Sequence, residues 1–270
     1  MPFTLGPRAA SRGYRVVAFE RTGSTNVEAM ARAKAGDPGP MWFVTTEQTA
    51  GRGRRNRPWI APRGNLASSI LEVMDTTPLV AATLGFAAGL AAQAALRKVS
   101  MAASLQAGSE RPDFLLKWPN DVLAQGKKIV GINLEAETVA GDRLAVVVGI
   151  GTNVVGAPEG TPTPAISLSA LGVRSTAEEV FLALSDSWAE FHGIWNNGRG
   201  FGDIRKLWLA GAVGLGEAVS VRSSNAVAIE GTFETLDEQG CMVVRTAAGN
   251  RVLITAGDVH FGLAASARTT

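Results

Sequence analysis

Residues 51–59, GRGRRNRPW, place the strongest local constraint on how this chain folds. Four arginines fall within six residues. Neither a helix nor a strand gains stability from that density of like charge, and the two glycines add backbone freedom. Because apolar runs flank the segment at 42–46 and 66–74, we predict a loop between two buried strands. Arginine forks suit phosphate oxygens, so three interpretations are open: closure over a phosphorylated ligand, a solvated basic turn, or a nucleic-acid contact.

The length and charge of the chain limit its class. Its 270 residues suffice for one large and one small domain, and a net charge of +2 gives no global basic field for nucleic acid. Cys241 is the only cysteine, so no intrachain disulfide can form. The N-terminus has no apolar signal core, and the apolar stretch 79–96 carries Gln93 and two glycines, which favours a buried helix over a membrane span. We therefore expect a soluble cytoplasmic protein with no membrane partner.

The start of the chain predicts a flexible leader over 1–13, a strand over 14–19 and a helix over 27–35. Thr25 and Glu28 have the spacing of a capping box, with Ser24 as an alternative N-cap. Ser24, Thr25 and Asn26 therefore lie at a helix N-terminus. Free backbone N–H groups and small polar side chains there suit plain capping, a polar ligand site, or both.

The middle of the chain alternates strands with one long helix, which is typical of a mixed α/β layer. The predicted strands cover 42–47, 66–74, 114–118, 129–139 and 144–149. The predicted helix covers 79–99 after Pro78, and a polar connection follows over 100–112. The Gly-x-Gly at 149–151 is weak evidence for a dinucleotide site, because no full motif and no helix pattern follow it.

The last third of the chain contains two helical patches and then a change of pattern. Thr176 and Glu179 form a second capping box before a helix to His192, and another helical patch covers 204–209. From Gly211 onward, short apolar runs separated by turn signals predict a small β-barrel with strands at 218–221, 227–236, 242–245 and 252–255. We therefore predict a large domain over 14–211 and a barrel over 212–265.

Several polar groups outside the loop lie at or next to the first or last residues of predicted strands, and a mixed sheet can bring them near the loop. They are Lys117, Asn120, Asp121, Lys128 and Asn153. A tight turn between Asp121 and Lys128 brings these two side chains together in a hairpin. We find no Ser-His-Asp arrangement and no Cys/His metal cluster in the sequence, and assign no metal ligands. Such a site acts through positive charge and positioning, which suits transfer at phosphorus because an anionic nucleophile must approach an anionic phosphate.

Five of these stretches, taken in order, resemble bacterial biotin–protein ligases. They are the S-T-N helix start at 24–26, EQTAGRGRRNR at 47–57, KWPND at 117–121, KIVGI at 128–132 and GIGTN at 149–153. The resemblance covers about residues 14–262. It implies an α+β fold, with a mixed β-sheet packed with helices as in class II synthetases, plus a C-terminal SH3-like β-barrel.

The resemblance also implies an ATP-dependent reaction in two steps. Biotin's carboxylate attacks the α-phosphorus of ATP to give biotinyl-5′-AMP and pyrophosphate, with Mg²⁺ neutralising the triphosphate. A lysine of a biotin carboxyl carrier protein or domain, from acetyl-CoA carboxylase or a related carboxylase, then attacks the mixed anhydride. The protein is expected to act as a monomer or a homodimer; the sequence does not decide between them.

The matching motifs imply a role for each residue. Catalysis falls to three side chains: Lys128, Arg54 and Asp121. Biotin is assigned to Ser24, Thr25, Asn26, Gln48, Gly51, Arg52, Lys128 and Gly131. The adenylate is assigned to Arg54, Arg55, Arg57, Trp59, Lys117, Asn120 and Asn153. Lys117 has an alternative role as support at a strand end. We further predict a loop that is disordered until ligand binds.

The sequence departs from the family pattern in two places. Asn56 stands where the loop usually has glycine, and asparagine tolerates left-handed backbone angles. Thirteen residues before the first strand are too few for the helix-turn-helix domain of many relatives, so no DNA-binding role is expected. The alternatives are a lipoate or octanoate ligase of the same fold, whose usual glycine-rich motif we do not find, and a nucleic-acid-binding module.

Overall fold

The computed structural model describes residues 2–107, 111–161, 163–222 and 228–261, and contains two sheets. The larger sheet has seven strands in the order β1-β2-β3-β7-β6-β5-β4. Its strands are β1 Arg15–Phe19, β2 Met41–Thr45, β3 Leu66–Met74, β4 Leu115–Lys117, β5 Asp121–Ala124, β6 Lys127–Val139 and β7 Arg143–Thr152. Strands β1 and β2 are parallel and every other neighbouring pair is antiparallel.

Helices cover both faces of the larger sheet. They are α1 Pro7–Ser11, α2 Thr25–Lys34, α3 Pro78–Ala82, α4 Leu84–Ala107, α5 Ala177–Trp195 and α6 Phe201–Ala210. Side chains alternate along β2, so Phe43 packs with the α2 residue Ala29 whereas Trp42 meets Trp188 of α5 with ring centroids 6.1 Å apart. Burial on both faces explains the continuous apolar runs at 41–44 in β2 and at 144–148 in β7. The predicted α+β fold is confirmed.

The smaller sheet is C-terminal and antiparallel, in the order β11-β10-β9-β8-β12. Its strands are β8 Ala218–Arg222, β9 Ala228–Leu236, β10 Met242–Arg245, β11 Arg251–Ile254 and β12 Asp258–Phe261. The predicted barrel strands match the first four, and β12 was not predicted from the sequence. The predicted start at Val227 and the predicted barrel residues 262–265 lie outside the described residues.

Strand β4 is hydrogen-bonded to the segment that leads into the smaller sheet. The Leu116 N–H donates to the Gly211 carbonyl over 2.8 Å, and the Val213 N–H donates back to the Leu116 carbonyl. Two residues further along the chain, the Trp118 indole N–H donates to the Gly240 carbonyl over 3.0 Å. Gly240 lies in the turn between β9 and β10 of the smaller sheet. These bonds attach the smaller sheet directly beside the KWPND segment.

Two segments that the sequence predicted to be non-helical contain helix in the structure. Contrary to the expectation of a flexible leader, residues 7–11 form α1, whose Ala9 is fully buried, and the Gly6 N–H donates to Ser185 Oγ of α5 over 2.9 Å. The polar connection predicted for 100–112 is wrong up to residue 107, because Ser100 and Ser104 are buried and extend α4. Residues 108–110 of that connection lie outside the described part of the chain.

The long helical stretch Pro78–Leu105 is apolar enough to cross a membrane by length and composition alone. However, 72% of the most apolar 18-residue stretch within it is buried inside the protein. Helix α4 packs on α5 and on the sheet, as expected for the core helix of a soluble domain. Thr83 separates α3 from α4, so the structure divides the predicted single helix into two.

The predicted capping boxes have different outcomes. Thr176 and Glu179 form the full reciprocal box at the start of α5, which confirms that prediction. At α2 the N-cap is Ser24, without a side-chain cap bond, and the carboxylate of Glu28 instead accepts from the Thr22 hydroxyl over 2.8 Å. The Thr25 capping box is therefore wrong, which leaves the polar side chains at this helix start for other partners.

Candidate active site

A cavity of about 630 Å³ opens on the α2 side of the larger sheet. The start of α2, the arginine loop, β6, β7, residues 117–121 and the start of β12 all contribute to its wall. Its cationic side chains are Arg52, Arg54, Arg57, Lys117 and Lys128; its carboxylates are Asp121, Glu159 and Asp258. This volume suits a small-molecule site, and the excess of cations favours an anionic ligand.

One end of the cavity is neutral and polar. The parallel pairing of β1 with β2 continues beyond both strands, where residues 22–23 pair with residues 47–50. The Ala50 N–H, for example, donates to the Gly23 carbonyl over 2.7 Å. This brings the start of α2 beside Gln48. The Thr25 N–H donates to Gln48 Oε1 over 2.8 Å, and Thr25 Oγ1 lies 3.2 Å from the same oxygen. A Cβ on Gly51 would overlap the Gln48 amide, so only glycine leaves room there.

A line of buried polar groups extends from Thr25 to the protein surface. Ser69 Oγ on β3 lies 2.7 Å from Thr25 Oγ1 and 2.6 Å from Asn26 Oδ1. Asn26 Nδ2 then donates to Glu135 Oε1 on β6 over 2.8 Å, and Asn133 Nδ2 donates to the same oxygen. Sequence reasoning missed Ser69 and Glu135. The alternation along β6 that places Glu135 on the same side as Gly131 is the signal that could have found it.

Glycines form the floor of the cavity. Gly131 of β6 and Gly151 of β7 face each other in the sheet register. A Cβ on Gly151 would lie 2.5 Å from the Trp59 indole, and a Cβ on Gly131 would lie 2.7 Å from it. The Trp59 ring therefore lies against bare backbone. The Gly-x-Gly here provides space for a ring.

The cationic end centres on Lys128. Its Nζ lies 2.7 Å from Asp121 Oδ1 and 5.4 Å from the centroid of the Trp59 ring. Nearby, the Arg54 guanidinium donates to Asn120 Oδ1 over 3.0 Å, and Asn120 Nδ2 donates to the Ile132 carbonyl. The hairpin of β5 and β6 thus brings Asp121 to Lys128, as the sequence predicted.

Burial perturbs two of these cations. Burial lowers the pKa of Arg54, and the neighbouring charge of Arg55 lowers it further. Burial also lowers the pKa of Lys117, to which the positive charge of Lys128 contributes. Poorly solvated cations that repel one another interact more strongly with an arriving anion than cations in water.

The arginine loop folds back on itself and contacts the smaller sheet. The Gly53 N–H donates to the Arg57 carbonyl over 2.8 Å, and both Arg55 and Asn56 have left-handed backbone angles, with φ of 55° and 58°. Asparagine therefore occupies a conformation that it tolerates. Arg57 donates to both carboxylate oxygens of Asp258 on β12, at 2.8 and 3.4 Å, and Arg55 donates over 3.3 Å. Hydrogen bonding from Arg57 lowers the pKa of Asp258. No local sequence pattern indicated this partner, which lies 201 positions from Arg57.

Asn153 lies at the cavity wall but is almost wholly buried. Its Nδ2 donates to the Ile166 carbonyl over 3.2 Å. Asn65 lies next to it and accepts from the N–H groups of Val154 and Val155, each over 2.9 Å. Asn65 thus fixes the turn after β7, a role that sequence reasoning missed.

The structure brings most of the predicted site residues to the main cavity: Ser24, Asn26, Gln48, Arg52, Arg54, Arg57, Trp59, Lys117, Asn120, Asp121, Lys128, Gly131 and Asn153. Thr25 and Gly51 are buried behind this wall. Arg55 lines a smaller adjacent cavity of about 250 Å³ instead. The binding and catalytic roles assigned to these residues remain predictions.

Two family models match the chain. Residues 18–153 match the Biotin/lipoate A/B protein ligase family, and residues 214–262 match the Biotin protein ligase C terminal domain. The first match covers the start of α2, the arginine loop and Lys128. The second covers the smaller sheet, including Asp258.

Similar proteins extend these matches to nearly the whole chain. A biotin–[acetyl-CoA-carboxylase] ligase of Paracoccus denitrificans is 39% identical over 90% of this chain and 98% of its own length. The biotin protein ligase of Aquifex aeolicus, solved with biotin and ATP, is 25% identical with a TM-score of 0.73, over 92% of this chain and 99% of that one. The Leishmania major biotin protein ligase with biotinyl-5-AMP is 25% identical with a TM-score of 0.59, over 90% of this chain and 99% of that one.

Proposed function

The chain belongs to the biotin protein ligase family, and we propose that it activates biotin as biotinyl-5′-AMP and transfers it to a lysine of a biotin carboxyl carrier domain. The observation that carries this function is one cavity with a neutral amide-and-hydroxyl end at Gln48 and a cationic end at Lys128. Biotin has a neutral ureido ring at one end and a carboxylate at the other. The name of the Paracoccus denitrificans relative supports acetyl-CoA carboxylase as the source of the carrier.

The neutral end is suited to the ureido ring. That ring has both donor N–H groups and an acceptor oxygen, and Ser24, Gln48 and the start of α2 supply complementary groups. Lipoate and octanoate have no such ring, so binding either would leave these polar groups unpaired. The enzyme is a biotin ligase and not a lipoate ligase.

The cationic end lowers the barrier to the first step. The biotin carboxylate oxygen attacks the α-phosphorus of ATP, the bond to the bridging oxygen breaks, and pyrophosphate leaves. Two anions must meet, so a cation placed between them stabilises the transition state more than the separated reactants. We assign that position to Lys128 and assign Arg54 and Arg57 to the phosphates.

Asp121 serves the second step. The acceptor lysine attacks the carbonyl carbon of the mixed anhydride as a neutral amine, AMP leaves, and the new amide nitrogen loses a proton. Asp121 lies 2.7 Å from Lys128 Nζ, close to where the anhydride forms in this proposal. We propose that its carboxylate orients the incoming lysine and accepts a proton from it.

Magnesium is proposed to enter with ATP. Among the described residues, no three His, Cys, Asp or Glu side chains come together as a metal site. Asp121 and Asp258 of the cavity wall are already paired with cations. Mg²⁺ bound to the triphosphate supplies charge neutralisation there.

We further propose a soluble cytoplasmic enzyme without a nucleic-acid partner, acting as a monomer or a homodimer. In support, Arg54 and Arg57 face the cavity, and Arg55 and Arg57 pair with Asp258. Light scattering at several concentrations measures the oligomeric state. Salt-dependent binding of an oligonucleotide would contradict the absence of a nucleic-acid role.

Transfer of labelled biotin tests the function. The wild-type protein, given ATP and a carrier domain, is expected to label the carrier with biotin but not with lipoate or octanoate. Lys128→Ala is expected to lower kcat by about 10²–10³-fold, the loss typical of one preorganised charged donor. Lys127→Ala is the matched control, because Lys127 is the adjacent but exposed lysine of β6. No labelling by the wild type would refute the function, and equal rates for the two variants would refute the role of Lys128.

A further inference from the structure

We propose that Glu135, on the exposed part of β6 beyond the cavity, sets the direction of the hydrogen bonds that prepare the ureido end of the site. The inference rests on the proposed function and adds a positioning residue to it. Glu135 is exposed and does not line the main cavity, but three hydrogen-bonded groups connect it to Gln48.

The direction begins at the carboxylate. An ionised carboxylate only accepts hydrogen bonds, so the Asn26 side chain turns its Nδ2 toward Glu135, 2.8 Å away. The Asn26 oxygen must then face Ser69. The close backbone of Gly149 holds the amide in place, because a Cβ there would overlap Asn26 Oδ1.

The next two bonds follow from the first. Asn26 Oδ1 and Ser69 Oγ are 2.6 Å apart, and such a contact requires a proton between them, which only Ser69 can supply. Ser69 has one hydroxyl proton, so its 2.7 Å contact with Thr25 must use the proton of Thr25. The donors therefore run outward from Thr25 through Ser69 and Asn26 to Glu135.

The consequence appears at the cavity wall. Thr25 Oγ1 and Gln48 Oε1 are 3.2 Å apart with no proton left to join them. Gln48 Oε1 already accepts the Thr25 N–H, but an oxygen of this kind has a second lone pair. Gln48 lines the cavity, so this open acceptor position on its Oε1 suits a ligand N–H, and a ureido ring supplies one. A carboxylic acid without N–H groups leaves this acceptor position unpaired.

Glu135→Gln removes the constraint without changing the shape of the side chain. A glutamine can donate to Asn26, so Asn26 can turn over, Ser69 can donate to Thr25, and Thr25 can donate to Gln48. We expect the KM for biotin to rise about fivefold, the effect of one hydrogen bond, while kcat and the KM for ATP stay within about twofold of wild type. Glu137→Gln is the matched control, since Glu137 lies two residues along β6 and pairs with Lys34 outside the series.

A double-mutant cycle separates this role from a general loosening of the site. Ser69→Ala removes the middle of the series, so Glu135→Gln is expected to change the KM for biotin by less than about twofold in that background. Equal effects in the two backgrounds would overturn the proposal, as would a KM for biotin in Glu135→Gln equal to that of Glu137→Gln. A wild-type protein that does not activate biotin would refute the proposed function instead.

Discussion

At the scale of single residues, glycine at position 151 is as important to the site as the charged side chains. The Trp59 ring occupies the space where a Cβ would stand. Strand propensity alone would disfavour glycine in the middle of a buried strand, because it weakens the strand. The close approach of an aromatic ring from another segment explains why glycine is present.

Gly151→Ala is therefore expected to displace Trp59 while leaving the sheet folded. We expect weaker binding of the adenylate by about tenfold, since overpacking at such a contact costs about 1–3 kcal/mol. Titration calorimetry with biotin and a non-hydrolysable ATP analogue measures the effect. Gly202→Ala is the control, because an added Cβ there meets nothing within 4 Å. Unchanged affinity in Gly151→Ala would show that Trp59 does not contribute to binding.

At the scale of elements, the arginine loop is held by a carboxylate from a separate sheet. Asp258→Asn removes the partner of Arg57 and Arg55. All three side chains are substantially solvent-accessible, at 37–57%, so the free energy of unfolding should change by less than about 1 kcal/mol. Amide exchange in 51–59, however, should become faster. Hydrogen-exchange mass spectrometry measures this. Glu234→Gln, which removes a pair with Arg251 in the same sheet, is the control and should leave the loop unchanged.

The same pair has a defined pH range. The pKa of Asp258 is lower in the folded protein than its unfolded value of about 3.9. The stabilisation that Asp258 gives the arginine loop is therefore fully present above the unfolded pKa, and it is lost only as the pH falls through the folded pKa. Protection of the loop in the wild-type protein should therefore be the same at neutral pH as at about pH 5.

Ligand is expected to order the loop further. Fixing each loop residue costs about 1–2 kcal/mol, and each charge-assisted contact to phosphate contributes about 1.5–3 kcal/mol, so closure should require the adenylate. Trypsin cleavage after Arg54 and Arg55 should slow when biotin and ATP are both present. Cleavage after the exposed Arg143, the first residue of β7, should not change. Equal cleavage in the loop with and without ligands would contradict this.

At the scale of the whole molecule, one buried polar cluster ties the N-terminal segment to the core. The Tyr14 hydroxyl donates to Glu72 of β3 over 3.1 Å, and the Trp188 indole of α5 donates to the Tyr14 hydroxyl. Burial raises the pKa of Glu72 to about 7, and burial lowers the pKa of His192 beside it to about 4. Both groups are therefore poorly solvated in their charged forms.

The stability of the Glu72→Gln variant relative to the wild type should thus increase as the pH rises. The folded pKa of Glu72 exceeds its unfolded value of 4.5, so the native state binds more protons between those values and wild-type stability falls as the pH rises through about 7. His192 has the opposite effect, because its folded pKa of about 4 is below its unfolded value of 6.5. Its contribution makes wild-type stability rise with pH between those two values. Urea unfolding at about pH 5 and pH 8 should show a larger gain for Glu72→Gln at the higher pH. Asp75→Asn, an exposed control, should show no such trend; a gain independent of pH would contradict the assignment.

Sequence patterns predicted local features well and distant partners poorly. The strand Leu66–Met74 and the Thr176–Glu179 box match the structure because each depends on neighbouring residues. Glu135 lies 109 positions from Asn26, and Asp258 lies 201 from Arg57, so no local pattern connects them. The sequence motifs identified many of the residues that line the cavity. They did not identify Glu135 or Asp258, which orient or restrain those residues.

The bond from Trp118 to Gly240 gives the C-terminal fifth of the chain a consequence for genetics. A premature stop codon shortly after residue 211 would remove the carbonyl partner of an indole that is almost completely inaccessible to water, together with the counter-charge of the arginine loop. Such an allele should behave as a null even though every motif of the larger domain is still translated.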